Sequence, residues 1–336
     1  MSTHSPSVSI VVPTFERRAN LARLLAALAA QTHPVDDLEL VVVDDGSTDG
    51  TIDWIRAARP PYRVHAITQT HRGPAAARNL GVAESRGDLI VFLDDDVLPD
   101  LGLVASHVAA HGSARNLAVI GPMLPPQNWR RPAWIRWEER KLVRQYRALA
   151  AGKYQCTYRQ FFTGNASLRR DQLLAAGGFD ARFVRAEDVE LGYRLWKMGT
   201  RFVFEAGARV WHYPRRSFVS WRRVPYLYGQ ADVAMEREKG HEVLRLALAE
   251  FGNRSSVTRG LARLCVGRAN RFRAATLALG AVAQTAGVVG LEPVASASLS
   301  ALFSLLYWQG VSDELGGPSR LWTAVGERRA PTPTST

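Results

Sequence analysis

Two cysteines among 336 residues, Cys156 and Cys265, exclude a disulfide framework and a thiolate metal cluster. That scarcity fits a reducing compartment, so a cytoplasmic location is expected. The leading MSTHSPS has no basic stretch, and the apolar run behind it is only strand length, so no secretory signal is expected. Neither G-x-G-x-x-G nor G-x-x-x-x-G-K-[ST] occurs, which argues against a dinucleotide oxidoreductase and a P-loop ATPase. Long, strongly apolar runs are missing too. Residues 274–291 and 293–312 carry no charge, but Gly, Ser, Thr and Gln dilute both. A membrane span needs about 20 predominantly apolar residues. The sequence leaves open a transmembrane hairpin, an interfacial or re-entrant pair, and ordinary packed helices.

The composition is that of a globular chain, 46% apolar and 22% charged, which excludes a mostly disordered protein. The net charge of +12 is unevenly spread: residues 1–110 sum to −5 and the remainder to +17. The basic back half suits an anionic surface or partner. Its Trp-rich and Arg-rich stretches, WRRPAWIRWEERK and RRSFVSWRRVPYLY, suit a membrane interface, a phosphate-bearing acceptor, nucleic acid or plain solvent.

The front half alternates strand and helix. SIVVPTFE is a buried strand stopped by Pro13, and Asn20 is expected to cap the Leu/Ala helix behind it. LELVVVDDGSTDG is a second strand ending at Asp44 and Asp45, and RVHAI is a third. GPAAARNLGVAESRG is a helix closed by glycine, and DLIVFLDDD is a fourth strand. Four such alternations predict a parallel sheet with helices on both faces. Ligands of such sheets sit beyond the carboxyl ends of the strands. Pro13-Thr14, Asp44-Asp45 and Asp94-Asp95-Asp96 all fall there.

Three adjacent carboxylates repel, and crowding raises a carboxyl pKa unless a cation neutralises it. Mg²⁺ is usually held by one or two carboxylates plus substrate phosphates. Asp96 is therefore expected at the cation, and Asp94 at a ribose or the cation's water. Asp45 can accept the ring N–H of uracil or thymine, or cap the next helix. Arg78 can pair with phosphate or lie on the surface. Glu187 and Asp188 open an amphipathic helix, where the helix dipole alone favours acids. The functional reading is a general base. His212 reads either as a structural residue or as a metal ligand or pyrophosphate donor.

The ordered segments VSIVVPTFE, VVVDDGSTDGT, GPAAARNLG, FLDDD, GNASLRR…GGFD and AEDVELGYRLWKMG resemble the family 2 glycosyltransferases of the GT-A fold. The resemblance covers roughly residues 7–215. It implies an α/β GT-A domain over 1–215, with a nucleotide-binding half at 1–122 and an acceptor and catalytic half at 123–215. A basic helical region, with membrane association among its readings, is expected at 216–325, and a disordered tail at 326–336. The resemblance further implies inverting transfer of a sugar from a nucleotide diphosphate, UDP or dTDP favoured, to a saccharide, lipid-linked or small-molecule hydroxyl. Polysaccharide or cell-envelope synthesis is the expected setting, in the cytoplasm or peripherally on the cytoplasmic face of the membrane. By that resemblance Pro13, Thr14, Phe15 and Glu16 line the nucleoside pocket, with Asp45 at the base and Arg78, Asp94 and Asp95 at the nucleotide. Asp96, Asp94 and His212 attend Mg²⁺ or Mn²⁺. Asp188 is the base with Glu187 beside it, and Gly164 and Asn165 shape the sugar and acceptor region.

Two rivals are weighed. A sugar-1-phosphate nucleotidyltransferase normally has a Gly-rich triphosphate loop after the first strand, but PTFERRANL has no glycine. A nucleic-acid-binding protein would use the basic half but leaves the acidic crevice unexplained, so no nucleic acid is expected.

Overall fold

A computed structural model describes residues 7–327. Residues 1–6 and 328–336, which hold most of the expected signal-free leader and tail, lie outside the described residues. The chain forms two units. One runs to Trp129 and resumes over Glu139–Pro214; the other comprises Arg130–Glu138 and the residues from Arg215 on.

The first unit is built on β1 (Val8–Thr14), α1 (Arg18–Ala29), β2 (Leu38–Asp44), α2 (Thr51–Ala57), β3 (Arg63–Thr68), α3 (Pro74–Glu84) and β4 (Leu89–Leu93). Then follow β5 (Val97–Pro99), α4 (Leu103–His111), β6 (Leu117–Ile120), β7 (Met123–Leu124) and α5 (Ala133–Ala150), whose first residues belong to the second unit. β8 (Asn165–Arg169), α6 (Arg170–Ala175), α7 (Glu187–Lys197), β9 (Arg201–Phe204) and β10 (Val210–His212) complete it. Seven strands form a sheet in the order β3-β2-β1-β4-β8-β6-β9. The first four strands are mutually parallel, as the alternation requires. β8 is the exception and runs antiparallel to β4 and β6. Its side chains therefore enter the carboxyl rim at its N-terminal end, at Gly164-Asn165.

Alternation along each strand explains the two-sided core. Ile10, Val12, Leu40, Val42 and Val91 face the leucines of α1. Val11, Val41, Val43, Ile90 and Phe92 face α3, Leu173, Leu191 and Leu195. Gly81 lets α3 lie close: a Cβ there would stand 2.5 Å from a Val11 methyl. Pro74 sits in the first turn of α3, where its missing N–H costs nothing. Asn20 does not cap α1, because the helix already begins at Arg18 and has no side-chain cap.

A second sheet, β5-β10-β7, positions the site. β10 pairs antiparallel with β5, so that His212 lies opposite Val97. The Tyr213 N–H donates to the Asp96 carbonyl at 2.8 Å.

The second unit is helical: α8 (Phe218–Lys239), α9 (Val243–Phe251), α10 (Ser256–Cys265), α11 (Ala269–Val288), α12 (Glu292–Glu314) and α13 (Pro318–Glu327). α12 packs against α8 and α11. Glycines allow the close crossing: a Cβ on Gly310 would meet the Tyr226 carbonyl at 2.1 Å. α12 is long and apolar enough to cross a membrane, with mean hydropathy 1.2, yet 56% of its apolar window is buried among its neighbours. α11 keeps an uncharged face open, and Val288 at its end is 87% exposed.

Candidate active site

The carboxyl rim of β1, β2 and β4 gathers a chain of opposite charges. Arg78, on α3, is buried and donates through Nη2 to Asp94 at 2.9 Å and through Nη1 to Glu187 at 3.0 Å. Its Nε meets no partner among the described residues. A buried donor left this way calls for a ligand or water oxygen. Arg17 donates to Asp95 and to Asp96, both at 2.8 Å. Thr14 Oγ donates to Asp95 at 2.8 Å, and His212 Nε2 lies 3.4 Å from Asp96. Asp94 and Asp96 thus hold different partners, Arg78 for the first and Arg17 with His212 for the second.

These environments tune the acids differently. Burial pushes Asp95 up to about 6 against the pull of Arg17, with Asp96 and Asp94 adding to the rise. Burial would also raise Asp96, but its hydrogen bond and charge pairing with His212, then Arg17, hold it at about 2. Burial, then the charge of Glu187, pushes Asp188 up to about 7 although Arg78 pulls it down. That is where a general base for neutral pH belongs.

Backbone strain coincides with the site. Ala186, immediately before Glu187 and Asp188, has φ of 61°, and Glu16 has φ of 54°. Left-handed non-glycine residues cost of order 1–3 kcal/mol each and cluster at functional sites. Glu16 is pinned there: its carboxylate accepts from the Thr48 N–H at 2.7 Å and from the Thr48 hydroxyl at 2.9 Å. Pro13 lies in register with Val43, and Phe15 is exposed with its ring centroid 4.6 Å from that of His71.

Asp45 is more occupied than the sequence suggests. Its carboxylate accepts from Gln69 at 2.7 Å, the Arg72 N–H at 2.8 Å and the Gly73 N–H at 2.9 Å, which ties down the loop before α3. Asp44 accepts from the Ser47 N–H at 3.2 Å. Gly164 is required beside Asp94: a Cβ would stand 2.7 Å from Asp94 Oδ2 and from a Met123 methyl. Asn165 is buried and supports the rim from beneath, donating to the Ala208 carbonyl at 2.8 Å and meeting His107 at 3.0 Å. Sequence reasoning missed Arg17 and this His107–Asn165 strut. Arg17 had a signal, its place directly after PTFE at a strand end; His107 had none.

Among the described residues no three His, Cys, Asp or Glu side chains are placed together to hold a metal ion. Asp96 and His212 adjoin, and Asp94 is paired with Arg78. One carboxylate and one imidazole still fit Mg²⁺ or Mn²⁺, whose remaining positions go to water and substrate phosphates.

These acids and arginines lie where ligands of open α/β sheets bind, beyond the carboxyl ends of the strands. Residues 9–174 match the family model described as Glycosyl transferase family 2, and across that stretch the chain belongs to the family. Validoxylamine A glucosyltransferase of Streptomyces hygroscopicus subsp. jinggangensis is 34% identical over 224 residues, covering 59% of this chain and 53% of that protein. The chain spans about half the length of such curated relatives. Among solved structures, mannosyltransferase PcManGT from Pyrobaculum calidifontis, in complex with GDP-Man and Mn²⁺, superposes with TM-score 0.59 at 24% identity, covering 89% of this chain and 86% of that one. TarS 1–349 from S. aureus, in complex with UDP, gives 0.55 at 18% identity, covering 91% of this chain and 90% of that one. The fold is therefore GT-A.

Proposed function

We propose that this chain transfers a sugar from a uridine or thymidine diphosphate donor to a hydroxyl of a saccharide, lipid-linked or small-molecule acceptor, with inversion. The observation that carries the reading is the linked series of Asp188 and Glu187 on α7, Arg78 on α3 and Asp94 after β4, with Asp96, two residues further on, paired with His212. The nucleobase packs by Phe15, with Asp45 and its loop at the base edge. Arg78 offers its unpartnered Nε to a phosphate oxygen. Asp96 and His212 are the residues that would hold a divalent cation, which would supply Lewis-acid neutralisation of the departing diphosphate. Asp188 takes the proton of the attacking hydroxyl on the opposite side of the sugar, so a single displacement inverts the anomeric centre.

Screening nucleotide sugars for hydrolysis, with Mn²⁺ and with chelator, tests the reading. Turnover of a UDP- or dTDP-sugar is expected. Turnover instead of a nucleoside triphosphate plus sugar phosphate contradicts it.

The second unit supplies the setting, the cytoplasmic face of a membrane. Val288, Val289, Leu291 and Val294 form an exposed apolar tip between α11 and α12. Arg136 reaches this tip, donating to the Gly287 carbonyl at 3.3 Å and pairing with Glu292, and Trp134 ties the same segment to the Arg216 carbonyl at 3.0 Å. An exposed apolar tip on a unit rich in arginine suits an anionic bilayer. The chain is expected to sediment with phosphatidylglycerol-containing vesicles and far less with purely zwitterionic ones. Equal recovery from both contradicts an electrostatic membrane contact.

A further inference from the structure

The outer edge of β9 borders a groove of about 710 Å³ that none of the candidate active-site residues lines. That volume lies within the range of small-molecule sites. Its walls come from Leu149, residues 154–159 and Trp196 in the last turn of α7. Two large rings are left open to water in it: Trp196 is 48% exposed and Tyr154 is 44% exposed. Trp196 belongs to an aromatic cluster. Its centroid lies 5.6 Å from that of Tyr158 and 5.8 Å from that of Tyr193, and the Lys197 ammonium stands 5.6 Å from it. The turn carrying Tyr158 is fixed by a capping box, in which the Gln160 side chain accepts from the Thr157 N–H at 2.9 Å. Gln155, Arg159 and Arg201 add hydrogen-bond donors, and among the described residues no carboxylate lines the groove.

Rigid aromatic faces bordered by amide and guanidinium donors match the chemistry of a pyranose. The axial C–H groups of such a ring are electropositive and pack on the electron-rich face of Trp or Tyr. Its hydroxyls accept hydrogen bonds from the rim. The location fits as well. α7 carries Asp188 in its first turn and Trp196 in its last, about 12 Å apart at 1.5 Å per residue. β9 runs parallel to β6, so its Phe204 end points to the rim where the acids gather.

We propose that this groove is a second saccharide site, which holds sugar units of an oligosaccharide chain away from the reacting hydroxyl. It rests on the sugar-transfer reading only in taking that chain for the acceptor. The test applies the full chain to an array of neutral and uronic-acid-containing oligosaccharides, with nucleotide-sugar hydrolysis measured on the same preparations. Wild type should retain oligosaccharides. Trp196→Ala should lose at least about tenfold in apparent affinity, Trp196→Tyr should keep most of it, and hydrolysis should be unchanged in both. An unchanged melting temperature in Trp196→Ala shows that the loss is local. Arg159→Ala, at an exposed position, should weaken retention independently. No saccharide retained by wild type, or equal retention by Trp196→Ala, overturns the site. Retention without any hydrolysis would instead leave the groove standing and overturn the transfer reading.

Discussion

Asp188→Asn is expected to lower sugar transfer by about 10²–10⁴-fold, the usual worth of a general base, while the nucleotide sugar binds about as well as before. The asparagine keeps the shape and the position in the first turn of α7 but cannot take a proton. Because burial and Glu187 push Asp188 up to about 7, wild-type kcat/KM should fall as pH drops through that region, and this limb should vanish in the variant. The same shift has a stability consequence. The folded-state pKa lies above the ordinary carboxyl value of 3.8, so the folded chain binds a proton more tightly than the unfolded one. Stability therefore falls as pH rises from about 4 to about 7, and ionised Asp188 is a burden above that window. Asp188→Asn should melt at a higher temperature than wild type at pH 8, and the gap should close in acid. A variant that is both inactive and less stable at pH 8 would assign Asp188 a structural role.

Asp96→Ala is expected to abolish both activity and the enhancement of nucleotide binding by a divalent cation. Asp96 stays ionised under the influence of His212 and Arg17, so a carboxylate is available at any working pH. Cation stabilisation of a departing diphosphate is worth several kcal/mol, which amounts to at least about a hundredfold in rate. Calorimetric titration of nucleoside diphosphate, with and without Mn²⁺, separates this loss from simple unfolding. Full wild-type activity in excess chelator would remove the cation from the account and leave the rim to Arg17.

Much of this was legible in the sequence because local chemistry decided it. Uninterrupted apolar runs such as Leu89–Leu93 have no stable place except a strand buried on both faces, and the acids after them then fall at the rim. The antiparallel β8 was not legible, because Asn165–Arg169 reads alike in either direction. Nor were the partners of the acids. Arg17 and Asp96 are 79 positions apart, and only the closed sheet shows that one guanidinium spans Asp95 and Asp96. The hydrogen bonds of Asp45 depend on the conformation of the Gln69–Gly73 loop, which composition does not fix. In the second unit, the uncharged stretches follow from composition, but which face stays open depends on how α12 packs between α8 and α11.

Whichever nucleotide sugar is turned over, the anomeric configuration of the sugar first released, followed by proton NMR before mutarotation, bears most directly on the pairing of Asp188 with the bound diphosphate. An α-linked donor should give the β sugar; release of the α sugar would contradict a single displacement assisted by that carboxylate.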